Sequence, residues 1–159
     1  MITGFRVIVF VVGLWMCAVG SSGLAASPEM VSTKLKDFEL TDFRGRNWTL
    51  KDFPQDSFLV VAFLGTECPL AQFYATRLNS LADKYSTESV RVMGVMSNRQ
   101  DSLEEIAAFA RRRDLSYPVV KDPANRFADQ VGAERTPEVF VYDSERNLRY
   151  RGRIDDERG

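Results

Sequence analysis

The chain has 159 residues, of which 45% are apolar and 27% are charged, and its formal net charge is −1 at pH 7. This length and composition predict one globular domain, and the near-neutral charge argues against nucleic acid and anionic membrane surfaces as partners. The sequence contains no histidine, which excludes Cys-His catalysis and histidine metal ligation. We therefore expect neither a metal nor a cofactor.

Residues 1–26 have the pattern of a secretory signal. Arg6 supplies a positive charge, residues 7–19 form an apolar stretch, and small residues follow as a cleavage region. The apolar stretch is shorter than the ~20 residues that span a bilayer. We predict cleavage, a mature domain over residues 27–159, and export to the periplasm or the extracellular space. An uncleaved N-terminal membrane anchor is the alternative.

Cleavage would remove Cys17 and leave Cys68 as the cysteine of the mature chain. The mature chain could then form no internal disulfide. An unpaired cysteine in an oxidising compartment is either buried and inert or a working thiol.

The mature domain begins with short strands. Residues 38–50 predict two strands around a turn at Gly45, which can adopt a positive φ. Residues 58–64 and 90–96 are continuous apolar runs, typical of strands that are covered on both faces. A third such strand is predicted over residues 117–120.

Two amphipathic helices separate these three strands. The first is predicted over residues 69–85, with Pro69 at the first helical position. Its inner face is expected to carry Leu70, Phe73, Tyr74, Leu78, Leu81, Ala82 and Tyr85. The second begins at a capping box formed by Ser102 and Glu105 and runs to about Arg113. Its inner face is expected to carry Leu103, Ile106, Ala107 and Ala110.

The last part of the chain predicts a short helix over residues 125–131 and then two strands joined by a turn. Strands that alternate with helices indicate an α/β sheet, here closed by an antiparallel hairpin. The basic run Arg111, Arg112 and Arg113 is interpreted as a solvated helix end, where cations complement the helix dipole.

Three features together resemble the thioredoxin fold, and within it the redoxin branch: the alkyl hydroperoxide reductase/thiol-specific antioxidant group with its TlpA-like exported relatives. Cys68-Pro69 stands where a buried strand meets a helix, Thr136-Pro137 opens a later hairpin, and the hairpin "FELTDFRGRNWTL" precedes both. The resemblance covers Lys36 to Ile154. It implies an α/β, thioredoxin-like fold with a central mixed sheet, flanking helices and an N-terminal β-hairpin.

The resemblance also implies a cis peptide bond before Pro137, placed against the active cysteine. A trans proline at the start of an edge strand is the alternative. The site residues that it implies are Cys68 as the nucleophile and, around it, a substrate pocket. The pocket residues are Thr66, Glu67, Pro69, Arg135, Thr136 and Pro137.

The sequence departs from the family patterns at several positions. Ala71 occupies the place of the second cysteine of Cys-x-x-Cys, so an intramolecular dithiol cycle cannot run. Val61 and Gly65 replace the proline and threonine of the peroxiredoxin motif. Pro137 takes the place of the arginine that polarises peroxide in that family, and we consider Arg135 as a substitute.

The position of Cys68 before the helix favours its thiolate, because unpaired N–H groups and the helix dipole place partial positive charge there. Glu67 opposes this effect through its own charge. We expect a redox enzyme in which Cys68 reduces a peroxide or exchanges with a protein disulfide, and an external thiol restores it. The alternative is a non-catalytic binding or scaffolding module in which Cys68 is packed as an inert apolar residue.

The chain ends at Gly159, directly after the last predicted strand. No segment remains for the helix that finishes a thioredoxin fold. We expect the domain to be truncated at its C-terminus, and a missing segment could hold a second cysteine. The alternative is a partner that covers the exposed apolar face of the sheet.

Overall fold

The computed structural model describes residues 33–154, so the predicted signal over residues 1–26 lies outside the described part. The described chain forms a seven-stranded sheet with the order β2-β1-β5-β4-β3-β6-β7. The strands are β1 Glu39–Asp42, β2 Asn47–Thr49, β3 Phe58–Leu64, β4 Val90–Met96, β5 Val119–Lys121, β6 Glu138–Tyr142 and β7 Leu148–Gly152. The helices are α1 Pro69–Lys84, α2 Leu103–Arg112 and α3 Arg126–Val131.

The sheet is mixed. β3, β4 and β5 are parallel neighbours, whereas β1, β2, β6 and β7 pair antiparallel. This topology confirms the thioredoxin-like α/β fold, the N-terminal hairpin and the closing hairpin that the sequence predicts. The carboxyl ends of β3 and β4 lie at one edge, beside the start of β6, because Phe63 pairs with Glu138. This edge carries the candidate site.

Both predicted helix starts are confirmed. Pro69 opens α1, where its missing N–H removes no helical hydrogen bond. Ser102 and Glu105 form the capping box of α2: the Glu105 N–H donates to the Ser102 hydroxyl, and the Ser102 N–H donates to the Glu105 carboxylate. The start of each helix is therefore fixed locally by residues that the sequence identifies.

The predicted inner face of α1 is partly wrong. Leu70, Phe73 and Leu81 are exposed, whereas the helix packs on the sheet through Ala71, Tyr74, Ala75 and Leu78. The two alanines let the helix backbone approach the sheet closely, so the larger apolar residues beside them point outward. Leu103 of α2 is also exposed. Ile106, Ala107 and Ala110 are buried as predicted, together with Phe109, which the prediction left out.

Two apolar cores lie on the two faces of the sheet. α1 and α2 cover one face, where Leu64, Met96 and Phe109 are fully buried. α3 and the segment before β1 cover the other face with an aromatic cluster. In that cluster the rings of Phe38 and Phe127 lie 4.9 Å apart. Both cores reach β3, which is consistent with its continuous apolar sequence.

The face that carries α1 and α2 is open beside β6 and β7. Val60 and Val141 are only partly buried, and Phe58 and Tyr150 are 46% and 48% exposed. Opposite residues of an antiparallel pair share a face, and Val141 pairs with Tyr150. These residues form an exposed apolar strip beside β6 and β7. Over residues 33–154, none of the helices combines the length and the apolar character needed to cross a membrane.

Candidate functional site

Cys68 lies between β3 and α1, as the N-cap of the helix. Its backbone is extended, with φ −77° and ψ 115°, and its side chain makes no capping hydrogen bond to the helix. The side chain is half-buried and packs partly against the core under α1. Its sulfur therefore has one side toward hydrocarbon and one side available at the surface, next to the partial positive charge of the helix start.

The sulfur faces the loop before β6. The peptide bond between Thr136 and Pro137 is cis, which confirms the prediction. The Cys68 Sγ donates to the carbonyl oxygen of Thr136 at 3.9 Å. The structure thus brings Cys68, Thr136 and Pro137 together although 68 positions separate Cys68 from Thr136.

Glu138 holds this loop in place. Its carboxylate is buried, and it accepts from the Glu134 N–H at 2.8 Å and from the Arg151 Nε at 2.9 Å. Burial raises the pKa of Glu138, but the hydrogen bonds from Glu134 and Arg151 outweigh burial and lower the pKa below its ordinary value. Arg151 also pairs with the Glu134 carboxylate at 3.0 Å. The residues on both sides of Thr136 are therefore anchored to β7.

A second carboxylate fixes the residues just before Cys68. Asp101 is buried, and its Oδ1 accepts from the Thr66 N–H at 3.2 Å and from the Thr66 hydroxyl at 2.5 Å. Its Oδ2 accepts from the Asn98 side-chain amide at 3.1 Å. The loop after β3 is thereby tied to the loop after β4. A Cβ at Gly65 would overlap the Asn98 amide nitrogen, so a larger residue here would displace that side chain from Asp101.

Gln72 and Arg113 support the same loop from α1 and α2. The Gln72 side chain donates to the Thr66 carbonyl at 2.8 Å, and Arg113 donates to the Gln72 side-chain oxygen at 2.8 Å. Arg113 also lies over the Phe109 ring, 4.2 Å from its centroid. Burial lowers the pKa of Arg113. The interpretation of residues 111–113 as a solvated helix end is therefore wrong for Arg113, which is tied to both helices.

Among the remaining predicted pocket residues, Thr66, Glu67 and Pro69 adjoin Cys68 in the chain and Arg135 adjoins Thr136, but their contacts differ. Thr66 is part-buried and its hydroxyl is occupied by Asp101. Glu67 and Pro69 are exposed on either side of the cysteine. The Arg135 side chain is 62% exposed and pairs with Glu134 at 3.9 Å.

A cavity of about 440 Å³ lies beside this site, at the carboxyl edge of the sheet. Thr136 is part of its wall, and Cys68 is not. The other lining residues are Phe63, Ser97, Asn98, Arg99, Gln100, Asn125, Ala128, Ala133, Glu134 and Arg135. Within residues 33–154, no group of three or more cysteine, aspartate or glutamate side chains is placed to hold a metal ion.

Asn98, Asp101 and Glu138 were not predicted from the sequence as residues of the site. Asn98 and Asp101 follow β4 directly, and polar residues at the carboxyl ends of neighbouring parallel strands meet at one edge. Once β3 and β4 are recognised as parallel neighbours, this rule predicts that Asp101 lies near the end of β3. Glu138 gave a weaker signal, as an acidic residue inside an apolar strand.

The comparisons with known proteins agree with this architecture. The model of the AhpC/TSA family matches residues 31–151. Thiol-disulfide oxidoreductase ResA of Geobacillus thermodenitrificans is 26% identical over 113 residues, which are 71% of this chain and 63% of that protein. The chain thus spans less than two thirds of the length of this curated relative.

Two solved structures are similar over most of their length. A hypothetical protein SMc02350 from Sinorhizobium meliloti 1021 is 31% identical with a TM-score of 0.76, covering 83% of this chain and 75% of that chain. The peroxidoxin BcpB from Mycobacterium tuberculosis is 25% identical with a TM-score of 0.63, covering 72% and 79%.

Proposed function

Since the chain belongs to the AhpC/TSA family, we propose that it is a thiol-dependent oxidoreductase in which Cys68 is the nucleophile. This proposal rests mainly on the position of the Cys68 sulfur. The sulfur is half-buried at the start of α1 and lies 3.9 Å from the Thr136 carbonyl oxygen, which precedes cis-Pro137. Unpaired N–H groups at the start of α1 place partial positive charge beside the attacking sulfur. Thr136 and Pro137 shape the surface onto which a substrate is placed, and Thr66, Glu67 and Pro69 border it.

The reaction that this geometry supports best is one-cysteine thiol-disulfide exchange. The Cys68 thiolate attacks one sulfur of a substrate disulfide, a new S–S bond forms, and the other substrate sulfur leaves with the electron pair and takes a proton. An external thiolate then breaks the mixed disulfide and releases Cys68. Ala71 stands fully buried one helical turn after Cys68, so no thiol at that position can resolve the mixed disulfide. The printed activity of the ResA relative, a thiol-disulfide oxidoreductase, supports this reaction class.

Peroxide reduction is the second candidate, and the likeness to the peroxidoxin BcpB favours it. In this reaction the thiolate attacks one peroxide oxygen, the O–O bond breaks, and Cys68 becomes a sulfenic acid that an external thiol reduces. Two contacts count against it. The Thr66 hydroxyl donates to Asp101, and Arg135 points to solvent with Glu134 as its ion-pair partner. Neither is arranged as a donor to a peroxide at the sulfur.

The proposed place of action is outside the cytoplasm, in the periplasm or the extracellular space. The pattern of residues 1–26 supports export: a positive charge, an apolar stretch and small residues in sequence. N-terminal sequencing of the protein recovered from its native cells tests this. A mature N-terminus near residue 27 is expected, and a chain that retains residues 1–26 in the membrane fraction would support the anchor instead.

The reaction is tested by intact-mass spectrometry of the purified protein after separate treatment with a stoichiometric small disulfide and with stoichiometric hydrogen peroxide. The matched control is Cys68→Ser, which replaces the reactive sulfur with a hydroxyl oxygen and changes the volume little. A mixed disulfide that forms with wild type and is absent from the variant is expected. An adduct of one oxygen atom without any mixed disulfide would move the assignment to peroxide reduction.

The alternative is a non-catalytic binding or scaffolding module, which predicts neither a mixed disulfide nor an oxygen adduct. In that case Cys68 would remain unmodified in the folded protein with both reagents. The partial packing of Cys68 against the core under α1 supports this alternative.

A further inference from the structure

The cavity beside Thr136 has the volume of a small-molecule site and a mixed polar and apolar lining. Its volume of about 440 Å³ lies in the range of ligand pockets, which is ~300–1,000 Å³. Phe63, Ala128 and Ala133 supply apolar surface, and the polar side chains of the loop after β4 and of residues 134–136 surround it. The cavity is open to solvent, so a small molecule can enter it from the surface.

The cavity adjoins the reactive sulfur through a single residue. Thr136 lines the cavity, and its carbonyl receives the Cys68 sulfhydryl at 3.9 Å. Gly65 lies close to both loops, since a Cβ at its position would overlap the Asn98 amide nitrogen and would be 3.8 Å from the Thr136 hydroxyl. A small molecule bound in the cavity can therefore place its thiol end past Thr136, next to the Cys68 sulfur.

The charged groups of the cavity favour an anion. Arg99 is exposed and has no hydrogen-bond or ion-pair partner among residues 33–154, and Arg135 has one long ion pair of 3.9 Å to Glu134. The Glu134 carboxylate is engaged by Arg151 at 3.0 Å. Two arginines, Arg99 and Arg135, thus line the cavity together with one carboxylate, Glu134, that Arg151 already pairs. Guanidinium groups bind carboxylates through paired, charge-assisted hydrogen bonds.

We propose that this cavity binds the carboxylate group of a low-molecular-weight thiol, and that this small anionic thiol is the external reductant of Cys68. The proposal rests on the proposed one-cysteine function. The thiolate of the bound molecule attacks the outer sulfur of the mixed disulfide, a new S–S bond forms, the bond to Cys68 breaks, and Cys68 leaves as a thiolate. One disulfide is made for each one broken, so no further oxidant or reductant is required.

The test measures how fast different small thiols remove a neutral cap from Cys68. Methyl methanethiosulfonate places an S–CH₃ group on the cysteine, which is too small to fill the cavity. The cap is then removed by 3-mercaptopropionate, which is anionic, or by 2-mercaptoethanol, which is neutral, and quenched samples are read by intact mass. Each rate is divided by that of wild type, so the intrinsic reactivity of each thiol cancels.

Three variants are compared with wild type. In Arg99→Gln/Arg135→Gln, removal by 3-mercaptopropionate is expected to slow roughly fivefold, while the rate with 2-mercaptoethanol changes by less than about twofold. Ala133→Leu fills the cavity without changing charge, and it should slow the anionic thiol selectively as well. Arg44→Gln, in the turn between β1 and β2 at the opposite end of the sheet, should change neither rate.

The outcomes separate the two proposals. If both thiols slow equally, or if neither slows, the cavity proposal is overturned while the capped and released Cys68 still supports the proposed function. If Arg44→Gln slows the anionic thiol as much as the double variant, the effect is one of overall charge and the cavity proposal is again overturned. If the reagent fails to cap Cys68 in the folded protein, the proposed function itself falls, and the cavity proposal falls with it.

Discussion

Two loops meet at Cys68, and each is held by a buried carboxylate, but the partners of the two carboxylates differ. Asp101 holds the loop before the cysteine through three neutral donors, two from Thr66 and one from Asn98. Glu138 holds the loop with Pro137 through one backbone N–H and the guanidinium of Arg151.

The difference shows which loop depends more on its carboxylate. Loss of Asp101 would leave three part-buried donors of Thr66 and Asn98 without this acceptor, and such groups cost free energy because they gave up water. Loss of the Glu138 charge leaves Arg151 paired with Glu134, and the Arg151 side chain is 27% exposed. The loop before Cys68 should therefore be the more sensitive of the two.

Asp101→Ala is expected to have the largest effect, a loss of roughly 2–4 kcal/mol in the free energy of unfolding, because it strands the donors of Thr66 and Asn98. Urea unfolding measures it. Asp101→Asn is the matched control: it keeps the volume and one acceptor oxygen, so it should lose about half as much. Equal, small losses for both variants would show that the carboxylate does not anchor this loop.

Glu138→Gln is expected to lose about 1–2 kcal/mol at pH 7, because a neutral amide replaces the charged partner of Arg151. The comparison with Asp101→Ala is then direct, since both variants are measured in the same urea titration. A loss larger than that of Asp101→Ala would reverse the order proposed for the two loops.

The Glu138 loss should also depend on pH. The pKa of Glu138 is lowered in the folded protein, so its contribution is present above the unfolded-state value of about 4.3 and disappears as pH falls through the folded value. The difference between wild type and Glu138→Gln should therefore shrink as the pH falls from 7 toward 3. A difference that stays constant over this range would contradict the ion-pair account.

Gln72→Ala should cost about 1 kcal/mol, because Gln72 links Thr66 to Arg113 near the surface. Its Cys68 should be alkylated at a rate different from wild type, since the support of the Thr66 carbonyl is lost. If stability falls and the alkylation rate is unchanged, the link stabilises the helices without positioning the cysteine.

Arg135→Gln should have the smallest effect, within ~0.5 kcal/mol of wild type, because its ion pair is long and exposed. Alkylation of Cys68 by the neutral reagent iodoacetamide should also be unchanged. A large decrease in that rate would mean that Arg135 approaches the sulfur, and would revive it as a donor to peroxide.

Much of the fold was predictable because its signals are local. The proline at the start of α1, the Ser102 capping box and the apolar run of β3 each act within a few residues. The buried face of α1 was not predictable from the sequence, because Ala71 and Ala75 are buried by the closeness of the sheet and not by their own hydrophobicity. A helix-period pattern assigns the inner face to the large residues, and here the small ones occupy it.

The site was predictable in part. The resemblance predicted that Pro137 lies beside Cys68. In contrast, Asp101 contacts Thr66 across 35 positions, and nothing near Asp101 in the sequence indicates that contact. The fit of Gly65 against Asn98 likewise depends on two loops whose proximity only the parallel pairing of β3 and β4 creates.

The most direct test of the account is the alkylation rate of Cys68 by iodoacetamide in the folded protein, compared with the same protein unfolded in urea. The labelled residue is located by peptide mass, and Cys68→Ser serves as the blank. We expect Cys68 to be labelled in the folded state at a rate at least comparable with that of the unfolded chain. Labelling that occurs only after unfolding would show an inert, packed cysteine and would contradict the account.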